Sequence, residues 1–168
     1  MDTFEAIRTV LAVRQFRDTP IPADTVRQIV EAGRLTASGS NSQPWRFIVV
    51  QSKETLSQLG ALARTGPYIA QAPLAIVVAT EPGPLAVSDA SRAIQSMILT
   101  AWSDGVGSNW VGFHGLDAVK PLLGIPNNFD VLAIVPFGYP VEARAAGKKK
   151  RKPLGEVAHS ERFGQPFA

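Results

Sequence analysis

The chain contains no cysteine and only two histidines, His114 and His159. The first absence excludes disulfides, thiolate nucleophiles and cysteine metal sites, and it leaves the redox compartment unreadable. The two histidines lie far apart and lack ligand spacing, so no metal site is expected. A Gly-x-Ser-x-Gly elbow and a paired set of carboxylates are missing too. No apolar run approaches the roughly 18 residues of a membrane span, and Met1-Asp2-Thr3-Phe4-Glu5 lacks the charged start of a leader. A cytoplasmic protein with no membrane partner is therefore expected. An enzyme so poor in reactive groups must take its chemistry from a bound cofactor, and no side chain is assigned as catalytic.

With 168 residues, 45% of them hydrophobic and 18% charged, the chain suits one domain over 1–168 with a substantial core. The net charge of +3 comes largely from Lys148-Lys149-Lys150-Arg151-Lys152. That run is short and has no interleaved aromatics, so it points to one anionic group near the C-terminus and not to nucleic acid.

Phe4, Ile7 and Leu11 recur at helical spacing, predicting a helix over 2–12, and Val26, Ile29, Val30 and Gly33 predict a second, from 22–24 to about Leu35. Residues 45–50 and 74–80 read as strands apolar on both faces, hence central, with a helix from Lys53 to about Ala63 between them. Ser88 is the expected N-cap of a long helix bearing Ala90, Ala93, Ile94, Met97, Ile98 and Ala101 on its apolar face, the axis of the core. An extended piece follows at 110–113, then a short helix at 117–124 and a strand at 131–137. From Tyr139 on, the chain is rich in Pro, Gly and Lys, an aperiodic tail over 139–168 that wraps the fold or a partner or stays mobile.

The richest stretch is Asn41-Ser42-Gln43-Pro44-Trp45, leading into Arg46-Phe47-Ile48-Val49-Val50. A polar loop, a φ-restricting proline, an aromatic and an apolar strand in ten residues describe a ligand loop braced by a sheet. Gly105-x-Gly107 is not a dinucleotide fingerprint, because it leaves a helix and enters a strand, and Trp110 stands where the third glycine belongs. Gly105 reads as a helix-ending turn.

Taken in order, five segments resemble the flavin (FMN)-dependent nitroreductase family. They are Arg14-Gln15-Phe16-Arg17-Asp18-Thr19-Pro20; Ala37-Ser38-Gly39-Ser40-Asn41-Ser42-Gln43-Pro44-Trp45-Arg46-Phe47; Asp89 opening an alanine-rich helix; Gly105-Val106-Gly107-Ser108 with Trp110-Val111-Gly112-Phe113; and Gly138-Tyr139-Pro140 with Arg151-Lys152-Pro153-Leu154. The resemblance implies an α+β, nitroreductase-like fold: a central mixed or antiparallel sheet flanked by helices, in an intertwined homodimer with FMN in clefts at the subunit interface. It implies a ping-pong oxidoreductase using NAD(P)H and reducing nitroaromatics, quinones or enones. Arg14 would meet the pyrimidine end of the ring, Ser38, Asn41 and Gln43 the ring or ribityl chain, the Gly112 N–H the ring nitrogen that accepts hydride, and Arg151 and Lys152, with Lys150 beside them, the phosphate. Trp45, Tyr68, Trp110 and Phe113 are the candidate walls of the acceptor site, with core packing the favoured role for Trp45.

Ala37 replaces the opening proline of the family's loop, and the important departure is at the end of the first helix. Where the family carries Arg-Arg-Ser or Arg-His-Ser for the phosphate, this chain has Val10-Leu11-Ala12, which donates no side-chain hydrogen bond; each such bond lost is worth about tenfold in affinity or more. Three readings follow: Arg8, one turn earlier, and the Lys148–Lys152 run compensate; FMN binds weakly; or the natural ligand differs, a deazaflavin, a larger flavin or none. A degenerate relative that binds a flavin or deazaflavin without turnover is the alternative function.

Overall fold

A computed structural model describes residues 1–112, 115–142 and 149–167. Phe113, His114 and Lys148 lie outside the described residues.

The core is a four-stranded sheet in the order β1-β2-β4-β3, with β1 Trp45–Val50, β2 Leu74–Thr80, β3 Gly107–Ser108 and β4 Asp130–Gly138. Neighbouring strands are antiparallel: Trp45 faces Thr80, Leu74 faces Phe137 and Gly107 faces Gly138. A parallel bridge, Ala12 to Ser108, adds the chain after the first helix to the β3 edge.

Every residue of β2 is buried because strand side chains alternate in direction and both faces are covered. Leu74, Ile76 and Val78 join Ala133, Val135 and Phe137 of β4 against α2 (Ala23–Arg34) and α4 (Ala86–Ser103). Ala75, Val77, Ala79 and Ile134 face the other way, onto Leu56 and Leu59 of α3 (Lys53–Leu62) and Val119 of α5 (Val119–Leu123). The result is a helix–sheet–helix sandwich. Ala90, Ala93, Ile94, Met97 and Ala101 of α4 are fully buried, making that helix the core axis as its periodicity implies.

Several expectations change. The first helix, α1, spans Thr3–Thr9 and stops at Val10, so Leu11 and Ala12 lie beyond it. Its apolar pattern does not meet this chain's core: Phe4 is 74% and Ile7 49% exposed, while Ala6 packs inward. The Trp102 indole N–H donates to Thr9 Oγ1 at 2.9 Å, tying α1 to α4. Strand β1 is an edge strand, not a central one, with Arg46 and Val49 exposed. Helix α4 begins at Ala86 with Leu85 as its cap, so Ser88 is inside the helix. Of the extended piece expected at 110–113, the described part holds Val111 bridging Ile134, with strand β3 ahead of it. Among its described residues the tail carries a short helix, α6 (Leu154–Val157), and a bridge from His159 to Pro166. Among the described residues no helix is long and apolar enough to cross a membrane, and no cluster of acidic and imidazole groups could hold a metal ion.

Candidate functional site

The sequence-predicted residues fall into two groups, one at each edge of the sheet. At the β1 edge, the chain leaving α2 makes a single helical turn at Gly39–Asn41 before entering β1. Ser40, Asn41 and Gln43 all have left-handed backbones, with φ of 49°, 56° and 49°. Such a conformation costs an L-residue about 1–2 kcal/mol, so three within four positions need strong support. The Ser38 hydroxyl accepts the Gln43 N–H at 3.0 Å, and the Gln43 side-chain amide donates to the Asn41 carbonyl at 3.1 Å. The main anchor is Asp89 on α4, which is fully buried and accepts the Gly39 N–H at 3.0 Å. Its other carboxylate oxygen accepts from Arg92 one turn along α4. A buried carboxylate with both oxygens bonded is a rigid strut. It leaves the Asn41 and Gln43 side chains exposed on a shaped loop.

Asp89 was visible in the sequence only as an acid opening a helix. Its partner lies fifty positions earlier, and nothing local signals that contact.

The other group gathers on the β3 edge. Residues 12–17 run along it: Val13 N–H donates to the Ser108 carbonyl and Arg17 N–H to that of Tyr139, each at 2.8 Å. Arg14 lies between these anchors, exposed and with no hydrogen bond or ion pair among the described residues. The basic ribbon comes to the same edge, because the Lys149 ammonium donates to the Ile7 carbonyl near the end of α1 at 2.5 Å. Burial, with Arg151's charge adding to it, pushes the Lys149 ammonium below the usual lysine range. Arg151 and Lys152 are exposed, Arg151 donating to the Lys150 carbonyl at 2.9 Å. Arg8 does not reach Leu11 and Ala12 by helical spacing, since the helix has ended. Its guanidinium holds Glu5 through two hydrogen bonds of 2.8 and 2.7 Å, which keep the Glu5 carboxyl below its ordinary range.

Gly112 belongs to this edge too. Val111 exchanges two 2.9 Å backbone hydrogen bonds with Ile134, and Gly112 follows with φ +100°, a left-handed geometry that favours glycine. A Cβ there would lie 2.4 Å from Leu116 Cδ1. The Gly112 carbonyl accepts from the Trp110 indole at 3.0 Å. Its N–H, on a buried residue, finds no acceptor among the described residues. Of the four expected wall residues, Trp45 is buried and stacked on Phe47, a core role. Tyr68 and Trp110 are half-buried, the Tyr68 hydroxyl accepting from Asn109.

One chain does not bring the two groups together. They occupy opposite edges, three strand spacings or roughly 14 Å apart. The loop also sits at the Thr80 and Asp130 end of the strands, whereas Arg14 lies toward the Gly138 end.

This geometry belongs to a known family. The nitroreductase family model matches residues 8–82 and 63–139, and the chain belongs to that family. A protein of Methanothermobacter thermautotrophicus named as a candidate NADH dehydrogenase/NAD(P)H nitroreductase is 32% identical over 152 residues, covering 84% of this chain and 79% of its own. The FMN reductase (NADPH) of Bacillus subtilis is 26% identical over 187 residues, covering 96% and 74%. Among solved structures, a nitroreductase-like protein of Desulfovibrio desulfuricans in complex with FMN superposes with a TM-score of 0.84 at 28% identity, covering 97% of this chain and 98% of that one.

Proposed function

We propose that this protein is an FMN-dependent NAD(P)H oxidoreductase that works as a homodimer. The observation that carries the reading is that buried Gly112, whose N–H has no acceptor among the described residues, shares a sheet edge with a basic ribbon and with Arg14, which has no partner among them either. These groups suit the three polar parts of FMN. Gly112 would donate to a ring nitrogen and Arg14 would set a fixed positive charge at the pyrimidine end, stabilising negative charge that develops there. Arg151 and Lys152 would meet the phosphate, on a ribbon that Lys149 ties to α1.

Ser38, Asn41 and Gln43 complete the site from a second copy of the chain, since their own copy holds them at the far edge. Exposed Phe4 and Ile7 on α1 give such a dimer an apolar surface to bury. Bound flavin would supply a two-electron store between NAD(P)H and the acceptor, the two using one open face of the ring in turn. A nitroaromatic acceptor then takes two electrons and two protons to give the nitroso compound and water; quinones and enones suit the same chemistry. The names of the Bacillus subtilis and Desulfovibrio desulfuricans proteins support the choice of FMN.

Titration with FMN followed by visible absorption, then NADH or NADPH under argon, tests this reading. The expected result is a yellow protein that bleaches and recovers colour when a nitroaromatic, quinone or enone is added. A protein that takes up no FMN overturns it. A second reading, binding of a flavin or deazaflavin without turnover, is favoured by Val10-Leu11-Ala12, and a yellow protein that neither coenzyme bleaches would select it.

A further inference from the structure

A cavity of about 230 Å³ opens directly beside Gly112. Its floor is apolar, formed by buried Ala63, Val111 and Leu116, and its polar lining comes from Arg64 and Thr65. We infer that this cavity seats a small aromatic acceptor carrying an anionic group, with Arg64 as the residue that selects the charge. The inference rests on the flavin reading, which puts the reacting edge of the ring at Gly112.

Three observations converge. The first is size: the volume lies below the roughly 300–1,000 Å³ of pockets for larger ligands, so it admits one substituted ring and not a dinucleotide. The second is position. The turn after α3 closes with the Gly66 N–H on the Ala63 carbonyl at 2.9 Å, and a Cβ on Gly66 would lie 2.4 Å from Val111 Cγ1. Only a residue without a side chain lets the turn press this closely on the strand leading to Gly112, so Arg64 and Thr65 are held at the cavity. The third is charge. Arg64 is exposed, and among the described residues it has no hydrogen bond or ion pair and no carboxylate lines the cavity. The nearest acid in sequence to the lining, Asp117, is already paired with Lys120 at 2.9 Å. An unpaired guanidinium over an apolar floor recognises a ring bearing a carboxylate.

Two matched pairs of probes test this in the full-length protein. Benzoate and benzamide binding is measured by ligand-detected NMR without coenzyme; turnover of 4-nitrobenzoate and 4-nitrobenzamide is measured with FMN and NAD(P)H. Each is run on wild type and on Arg64→Gln. The amide has nearly the same shape without the charge, and comparing the acid-to-amide ratio between wild type and variant cancels intrinsic reactivity. The ratio is expected to fall about fivefold in the variant, the size of a solvent-facing ion pair, in both binding and kcat/KM. An unchanged ratio, or benzoate binding no tighter than benzamide to wild type, overturns the inference. A sample that takes up no FMN overturns the redox reading instead, and the benzoate titration still decides the anion site.

Discussion

The two edges of the sheet are built on opposite plans. At the β1 edge the loop over 38–43 is held by a fully buried carboxylate and three left-handed residues, a geometry that one chain completes unaided. At the β3 edge the charges are exposed, Arg14 has no partner among the described residues, and the ribbon is fastened by one lysine on a helix carbonyl. A ligand held between the two would meet a rigid wall on one side and an adaptable electrostatic clamp on the other. Rigidity is useful where ring edges must be matched by short hydrogen bonds; adaptability suffices for a phosphate, which charge can hold from several directions.

The largest expected effect is at a stiff point of the β3 edge. Gly112→Ala forces a side chain into left-handed backbone and onto Leu116, and is expected to cost about 3 kcal/mol, read from the urea midpoint. Next comes the strut of the loop edge. Asp89→Ala leaves the Gly39 N–H without its acceptor and should lower stability by about 2 kcal/mol, while Asp89→Asn, which keeps an accepting oxygen, should lose less. An Asp89→Ala protein with an unchanged urea midpoint would show that the loop holds its shape without the strut.

The third test asks whether the edges act across two copies. Arg14→Ala and Asn41→Ala should each weaken FMN binding about tenfold. Coexpression of the two variants should restore one tight site in each mixed dimer, read as a biphasic quench of FMN fluorescence. A monophasic, weak titration of the mixture would put both groups in one chain's site. Smaller still is Ser40→Gly. Relief of left-handed strain outweighs the entropy cost of glycine, so a gain of about 0.5 kcal/mol is expected, with weaker FMN binding if the strain shapes the loop.

The smallest effect concerns the ribbon's pin. Lys149 is harder to protonate in the fold than in the unfolded chain, so the unfolded state binds more protons at pH values between the folded value and the ordinary lysine value. Stability should therefore rise with pH across that window, and Lys149→Met should remove this rise in denaturation curves taken at a series of pH values below 10.5.

Much of the fold was legible. Strands β1 and β2 fall at 45–50 and 74–80 because continuous apolar runs bounded by polar and proline residues leave little choice of register. Helix α4 was legible for the same reason, its small and branched residues repeating on one face. Where the reading failed, a local pattern carried two meanings. An apolar run such as Trp45–Val50 looks alike in a central strand and in an edge strand. An apolar stripe such as Phe4 and Ile7 looks alike whether its cover is this chain's core or something else. The site residues were found as a motif in order, yet their grouping was hidden, since sequence proximity says nothing about which sheet edge a loop serves.

By itself the sequence determined the chemistry available: no cysteine, a polar loop before an apolar strand, an arginine ahead of an acidic turn, a glycine after Val111 and a basic run near the end. It determined the layers too, because hydrophobic period depends on neighbours a few residues away. Only the tertiary structure decided that Asp89 braces Gly39, that the Gly112 N–H has no protein acceptor among the described residues, and that Arg64 overlooks the cavity beside it. Those are contacts between distant segments, set by how the sheet orders its strands and how closely the glycines let backbones approach.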